Sequence, residues 1–425
     1  MDSIIGKVLV ILLGLICFCY LVKTYLKGDK RLIWSPLTFL TLTFFYYCVL
    51  PEFNTSREFE GFNTASMSIQ FHIGALLSYL SILGGYYLIN PYSANNWKKW
   101  NSTFSVEKLN KIAIFLFIFA LACYIPFRGF SLSALTTSSQ INEFDWDNQK
   151  LNYYFVGMIS LFVVSCCLLL INFKKNKLLF LIFLWITLVT YIISGFRYRI
   201  VILIISMFST YYLYFPTKRI KILPVLIIAA VCYIGFNVMD HARYYGSGLR
   251  ADVIQSMTKN DLKRKAGETE RVYNYSIMVM NRYDETGKRL YFGPIVNAIC
   301  LPIPRVIFPW KPKAEYMYET TEFVMRGQTG SAYVNFVEAF MSFGWLGVIL
   351  NGLFIGWLSR RFWNNYRNNS DSLGAILAMA LFNGVTYVIV SRGYLAQELN
   401  IFIYFVCIPF WLAMLFRKLS RNKIS

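Results

Sequence analysis

About eleven long apolar runs divide this sequence, and they leave it few possible folds. Stretches able to cross about 30 Å of hydrocarbon, at about 1.5 Å per helical residue, occur at roughly 3 to 22, 32 to 50, 68 to 90, 112 to 130, 151 to 172, 178 to 194, 200 to 215, 222 to 239, 345 to 359, 373 to 391 and 401 to 416. In lipid each backbone N–H and C=O must be satisfied inside the spanning structure, so runs of this length read as helices. The expectation is an all-α polytopic integral membrane protein with about eleven transmembrane helices. Composition agrees: 425 residues that are 56% hydrophobic and 15% charged are too apolar for a soluble domain of that size.

The loops orient the runs. Lys23, Lys27, Lys30 and Arg31 follow the first run, Lys98, Lys99, Lys108 and Lys111 the third, and Lys174, Lys175 and Lys177 the fifth. Lys218, Arg219 and Lys221 continue the series, then Arg360, Arg361 and Arg367, then Arg417, Lys418, Arg421 and Lys423. Every second loop is basic with almost no acid, which puts those loops and the C-terminus in the cytoplasm and the N-terminus outside. The net charge of +20 is therefore spread over short loops rather than gathered on one soluble face, so nucleic acid is not an expected partner. Met1 to Lys7 lacks a basic leader pattern, and the first run reads as a retained span.

One polar interval, 240 to 344, breaks the trend. It falls on the outer side yet carries Arg243, Arg250, Arg264, Arg271, Arg282, Arg305, Lys311 and Arg326. This divides the chain into a membrane domain of eight helices at 1–239, a large periplasmic or extracellular loop at 240–344, and a second membrane part with three helices and a basic tail at 345–425. Within the loop, Arg264, Arg271 and Arg282 fall on nearly one stripe of a helix, and Val272, Tyr275, Val279 and Tyr283 give it an apolar face. Gly293-Pro294 is expected to end that helix. The prolines between Leu301 and Pro312 forbid a regular helix and imply an extended segment dipping to the interface, with Arg305 and Lys311 at a set depth.

Other cations sit at the outer ends of helices. Arg197 and Arg199 follow the tight turn Ser194-Gly195-Phe196, and Arg392 stands in Ser391-Arg392-Gly393. A guanidinium at such depth is costly unless it is paired or lines a cavity. His241, beside Asp240 and Arg243, is a candidate acid or base, whereas His72 lies in an apolar run and reads as a packed core histidine. Asp145-Trp146-Asp147 reads as a solvated acidic turn, and with two histidines no zinc cluster can form, so neither metal nor cofactor is expected. The cysteines lie inside apolar runs apart from Cys300 and read as small buried hydrophobes. Outer guanidinium groups beside greasy helices suit an anionic substrate with a lipid tail, such as a lipid-linked diphosphate.

The chain resembles the Wzy-type oligosaccharide repeat-unit polymerases of O-antigen and capsule synthesis. The resemblance lies in Ser194-Gly195-Phe196-Arg197, in Ile303-Pro304-Arg305 followed by Pro309-Trp310-Lys311-Pro312, in Gly330 to Phe336 leading through Glu338 to Phe343-Gly344, and in Ser391-Arg392-Gly393. It implies a metal-independent glycosyltransferase with an architecture like the class C enzymes, acting on undecaprenyl-diphosphate-linked oligosaccharide at the outer face of the cytoplasmic membrane. In that scheme Arg197, Arg199, Arg243, Arg271, Arg282, Lys311 and Arg392 bind the diphosphate, Arg305 helps discharge it, and Glu338 or His241 is the base. A flippase and a chain-length regulator are the partners the resemblance implies, besides membrane lipid. An O-antigen ligase is the nearest alternative, and a transporter or flippase of lipid-linked glycans is another.

Overall fold

The computed structural model describes residues 2–27, 29–54, 58–59, 62–64, 67–89, 106–128, 157–194, 197–216, 268–303, 307–311 and 332–412. Helices dominate the described residues, and the one pair of strands is a two-residue antiparallel ladder, β1 (Glu58–Phe59) with β2 (Phe62–Asn63). Ten of the expected runs fall on helices, and the eighth, 222 to 239, lies outside the described residues. Among the described residues, six helical segments are long and apolar enough to cross a membrane: Ile4–Leu26, Pro36–Phe53, Lys108–Ile125, Asn335–Asn368, Leu373–Ser391 and Leu395–Leu412. The chain is an integral membrane protein. It forms two compact units, one of residues 1–101 with 266–403 and one of 102–265 with 404–425.

In the first unit, α1 (Asp2–Leu26) leaves Ile4, Val8, Ile11, Leu15 and Phe18 exposed and buries a stripe with Val10, Leu13 and Cys17, as a helix with lipid on its outer side should. Ser35 caps α2 (Pro36–Phe44) by accepting the Thr38 N–H, with Pro36 in the first turn where its missing N–H costs nothing. A wider π-turn over Phe45–Val49 carries α2 into α3 (Leu50–Asn54).

The main packing joins α4 (Ile69–Tyr87) to α11 (Asn335–Asn368), the most extensive pairing of helices in the unit. Gly352 and Gly356, four residues apart, let the backbones touch. A Cβ at Gly356 would collide with the Ile82 carbonyl oxygen and come 2.8 Å from the Tyr86 nitrogen, and one at Gly85 would collide with the Leu353 carbonyl. Small residues at this spacing drive helix association where lipid removes the ordinary hydrophobic driving force. α12 (Leu373–Ser391) is buried along almost its whole length and forms the centre of the unit.

α9 (Glu268–Thr286) is the longest helix lying wholly within the described part of the 240–344 stretch. The expected face of Val272, Tyr275, Val279 and Tyr283 is buried, while Arg271 and Arg282 are exposed. A polar triad fastens α9 to α3 and α4. The Tyr273 hydroxyl donates to Glu52 Oε2 at 2.5 Å, which leaves its oxygen to accept from His72 Nε2 at 2.8 Å. His72 is thus the packed and paired histidine expected. Gly293-Pro294 does not end α9, which stops at Thr286, but opens α10 (Gly293–Cys300). Proline is favoured in a first turn for the same reason that it breaks a helix interior.

α11 is really two helices. Phe343 and Gly344 leave helical geometry, with Gly344 at φ +63°, a region glycine enters without penalty. The carbonyls of Met341 and Ser342, deprived of their helical donors, accept instead from the Leu290 and Tyr291 N–H groups at 2.9 and 3.0 Å. The Arg289 guanidinium lies 4.9 Å from the Phe340 ring and donates to the Tyr283 carbonyl at 3.0 Å, covering the break.

The second unit contains α5 (Val106–Arg128), α6 (Leu161–Ile171), α7 (Lys177–Ile193) and α8 (Arg197–Tyr214). α6 is apolar all round and buried, as a helix of that kind must be. Phe117 stacks on Phe183 at 3.8 Å and tilts against Phe162 at 4.6 Å. Asn110 and Asn176 exchange two amide hydrogen bonds of 2.7 and 3.0 Å, which satisfies two polar groups among these helices.

Candidate functional site

In the first unit, polar side chains converge where α11 begins. Val334 enters in extended geometry and its N–H donates to Ser276 Oγ at 3.0 Å, so α9 holds the approach. The Tyr333 carbonyl accepts the Gly393 N–H at 2.6 Å, drawing in the turn that links α12 to α13 (Leu395–Phe402). One turn into α11, Glu338 reaches across, and its Oε2 accepts the Leu395 N–H at 2.6 Å. The carboxylate thereby caps a different helix, where a negative charge complements the positive helix end. Tyr394 rests on Tyr333 with ring centroids 4.5 Å apart, and Tyr333 stacks on Tyr275 at 6.1 Å. Burial, and after it the neighbouring Tyr275 and Glu338, push the Tyr394 phenol well above its usual value. It stays neutral at physiological pH.

Two of the residues singled out in the sequence, Glu338 and Arg392, are brought together here. Glu338 is 4% exposed and Arg392 half-buried, and both act electrostatically on Tyr394. The partner shown for Glu338 is a backbone N–H of α13. Arg271 and Arg282 belong to the same unit and stand on the exposed side of α9.

Lys311 has a different place from the one its loop suggests. Its ammonium is buried and donates to the Leu301 and Ile303 carbonyls at 2.8 and 3.2 Å, at the C-terminal end of α10. Cations favour helix C-termini, where carbonyls lack partners. Replacing Lys311 with methionine is expected to cost about 1.5–3 kcal/mol, the range for a hydrogen bond to a charged group. Thermal unfolding of the detergent-purified protein would show this as a lower midpoint, and an unchanged midpoint would mean that the lysine is not structural.

Arg197 and Arg199 occupy the first turn of α8 in the second unit, 9% and 4% exposed. Arg199 Nη1 donates to Ser160 Oγ at 2.7 Å, and its guanidinium lies 5.5 and 5.4 Å from the Tyr198 and Phe405 rings. His241, Arg243 and Arg305 lie outside the described residues, as do Arg264 and the Asp145 to Asp147 turn.

Two residues here escape a reading of the sequence. Asn335, the first residue of α11, is 3% exposed, and neither its Nδ2 nor its Oδ1 has a hydrogen-bond partner among the described residues. Its one available signal is a polar residue three positions before Glu338, which places both on one helix face. Glu398 stands one turn into α13, half-buried, within a segment apolar enough to cross a membrane. A carboxylate in such a segment is itself a signal. Among the described residues no group of three His, Cys, Asp or Glu side chains could hold a metal ion.

Comparison with curated proteins and with solved structures finds no match. Comparison with protein families does: residues 2–423 match the family described as O-antigen polysaccharide polymerase Wzy. The match covers nearly the whole chain and every helix described above. The chain therefore belongs to the O-antigen polysaccharide polymerase Wzy family, and its function is the polymerisation of O-antigen repeat units.

Proposed function

We propose that the protein extends glycans carried on undecaprenyl diphosphate, moving the growing chain from its carrier onto the terminal sugar of a newly delivered lipid-linked repeat unit. The family match over residues 2–423 is the observation that carries this reading. The chemistry requires two things of the protein. Positive charge must stabilise the departing diphosphate, and a basic group must accept the proton of the attacking hydroxyl. Arg392 at the α12–α13 turn, Arg197 and Arg199 at the start of α8, and Arg271 and Arg282 on α9 are cations of the first kind, together with Arg243 and Arg305. Their supporting evidence is placement: each described one stands in or beside the first or last turn of a helix or on the outer stretch. Lys311 would act by keeping α10 in position, and Glu338 by holding the α12–α13 turn against α11. His241 remains an alternative proton acceptor.

The arrangement in the membrane is part of the same proposal. About eleven helices, an outer N-terminus, a cytoplasmic C-terminus and the 240–344 stretch outside follow from the basic loops. On this reading the reaction takes place on the outer face of the cytoplasmic membrane in a class C-like helical enzyme. A flippase would deliver the repeat units and a chain-length regulator would set when extension stops.

Deleting the gene and resolving the surface glycan by gel electrophoresis tests this. Single-repeat molecules are the expected result. Loss of every attached repeat would instead indicate a ligase or a flippase.

A further inference from the structure

We infer that Glu398 is the group that takes the proton from the attacking sugar hydroxyl, with Asn335 orienting that hydroxyl. The inference rests on the repeat-unit transfer proposed above. Glu338 is the obvious carboxylate, yet its Oε2 accepts the Leu395 N–H at 2.6 Å, which gives it a structural task at the head of α13. Glu398 lies three residues beyond Leu395, one turn along the same helix, and the charge of Glu338 reaches it. Its side chain has no hydrogen bond or ion pair among the described residues, although it stands in the segment Leu395–Leu412. Carboxylates in apolar spans are expensive, and those that persist face a cavity or a pathway and do work there. Glu398 is half-buried.

Asn335 is the independent observation. It shares a helix face with Glu338, is 3% exposed, and leaves both a donor and an acceptor of its carboxamide open. Buried amide groups are nearly always satisfied. A sugar hydroxyl accepts the Asn335 Nδ2–H while its single proton points at Glu398, and a neighbouring hydroxyl of the same sugar ring donates to Asn335 Oδ1. Arg392, between the two carboxylates in sequence and in the turn that leads into α13, supplies positive charge.

The step balances as follows. The acceptor hydroxyl oxygen forms the new bond to the anomeric carbon of the carried glycan as its proton passes to Glu398. The bond from that carbon to the diphosphate oxygen breaks, and its electron pair leaves with undecaprenyl diphosphate. The proton then returns to solvent.

The test uses the full-length protein in liposomes with lipid-linked repeat units isolated from a polymerase-deletion strain. Glu398→Gln, which keeps the shape and removes the basicity, is expected to lower kcat roughly 100-fold or more, with KM and the thermal midpoint unchanged. Glu398→Asp should recover part of the rate. Normal product ladders from Glu398→Gln would overturn the assignment, and so would equal losses in both variants together with a lowered midpoint, which would make the residue structural. Failure of the transfer reading itself would show separately, as absence of extension by the unaltered protein.

Discussion

Gly356→Ala is expected to remove most of the folded protein from membranes, although it adds one methyl group and improves intrinsic helix propensity by about 1 kcal/mol. The methyl would meet the Ile82 carbonyl and the Tyr86 nitrogen, which are backbone atoms of α4 and cannot rotate away. The helices would have to part along the contact that also includes Gly352 and Gly85. Overpacking of this kind costs about 1–3 kcal/mol, and parting the backbones also forfeits the close contacts on which helix association in lipid depends. Gly293→Ala is the control, because a Cβ there meets nothing within 4 Å. Membrane abundance and the monodispersity of detergent extracts are the measurements. Equal abundance of the two variants would show that α4 and α11 are held by other contacts.

The second large effect concerns Glu338. Glu338→Ala leaves the Leu395 N–H buried without an acceptor, at about 1–3 kcal/mol, and frees the turn that carries Arg392. If that free energy is lost from the transition state, polymerisation falls by about 10-fold to 100-fold. Glu338→Gln keeps an oxygen that can accept the same N–H, so its activity should fall much less. The comparison separates a cap from a base: glutamine cannot accept a proton at neutral pH. Should the glutamine variant fold normally and yet be as inactive as alanine, Glu338 itself would be the proton acceptor and the cap incidental.

Much of this was legible before any coordinates. Apolar run length located ten helices, and the face Val272, Tyr275, Val279 and Tyr283 was correctly read as buried. The pairing of the Gly330 to Gly344 lead-in with Ser391-Arg392-Gly393 was visible only as two motifs on one side, and their joining through the Tyr333 carbonyl and the Gly393 N–H is a tertiary fact. Other features were illegible for identifiable reasons. Starting the last run at residue 401 put Glu398 outside it, because one carboxylate depresses local hydropathy although the helix continues through it. The hold of Lys311 on the Leu301 and Ile303 carbonyls is hidden in the sequence, since composition does not show which acceptors a cation faces. The break at Phe343-Gly344 depends on donors from Leu290 and Tyr291, about fifty residues earlier, and no local pattern announces such donors.

The hydrogen bonds at the head of α11 also set an order of biogenesis. Tyr333 and Glu338 leave the ribosome before their partners Gly393 and Leu395, which are synthesised 60 and 57 residues later. Until α12 and α13 have been inserted, the start of α11 is held by α9 through Val334 and Ser276 but lacks its bonds to the α12–α13 turn. Assembly of the site is thus a late event in translation, and a nascent chain stalled before α13 would lodge in the bilayer without being able to engage its substrate.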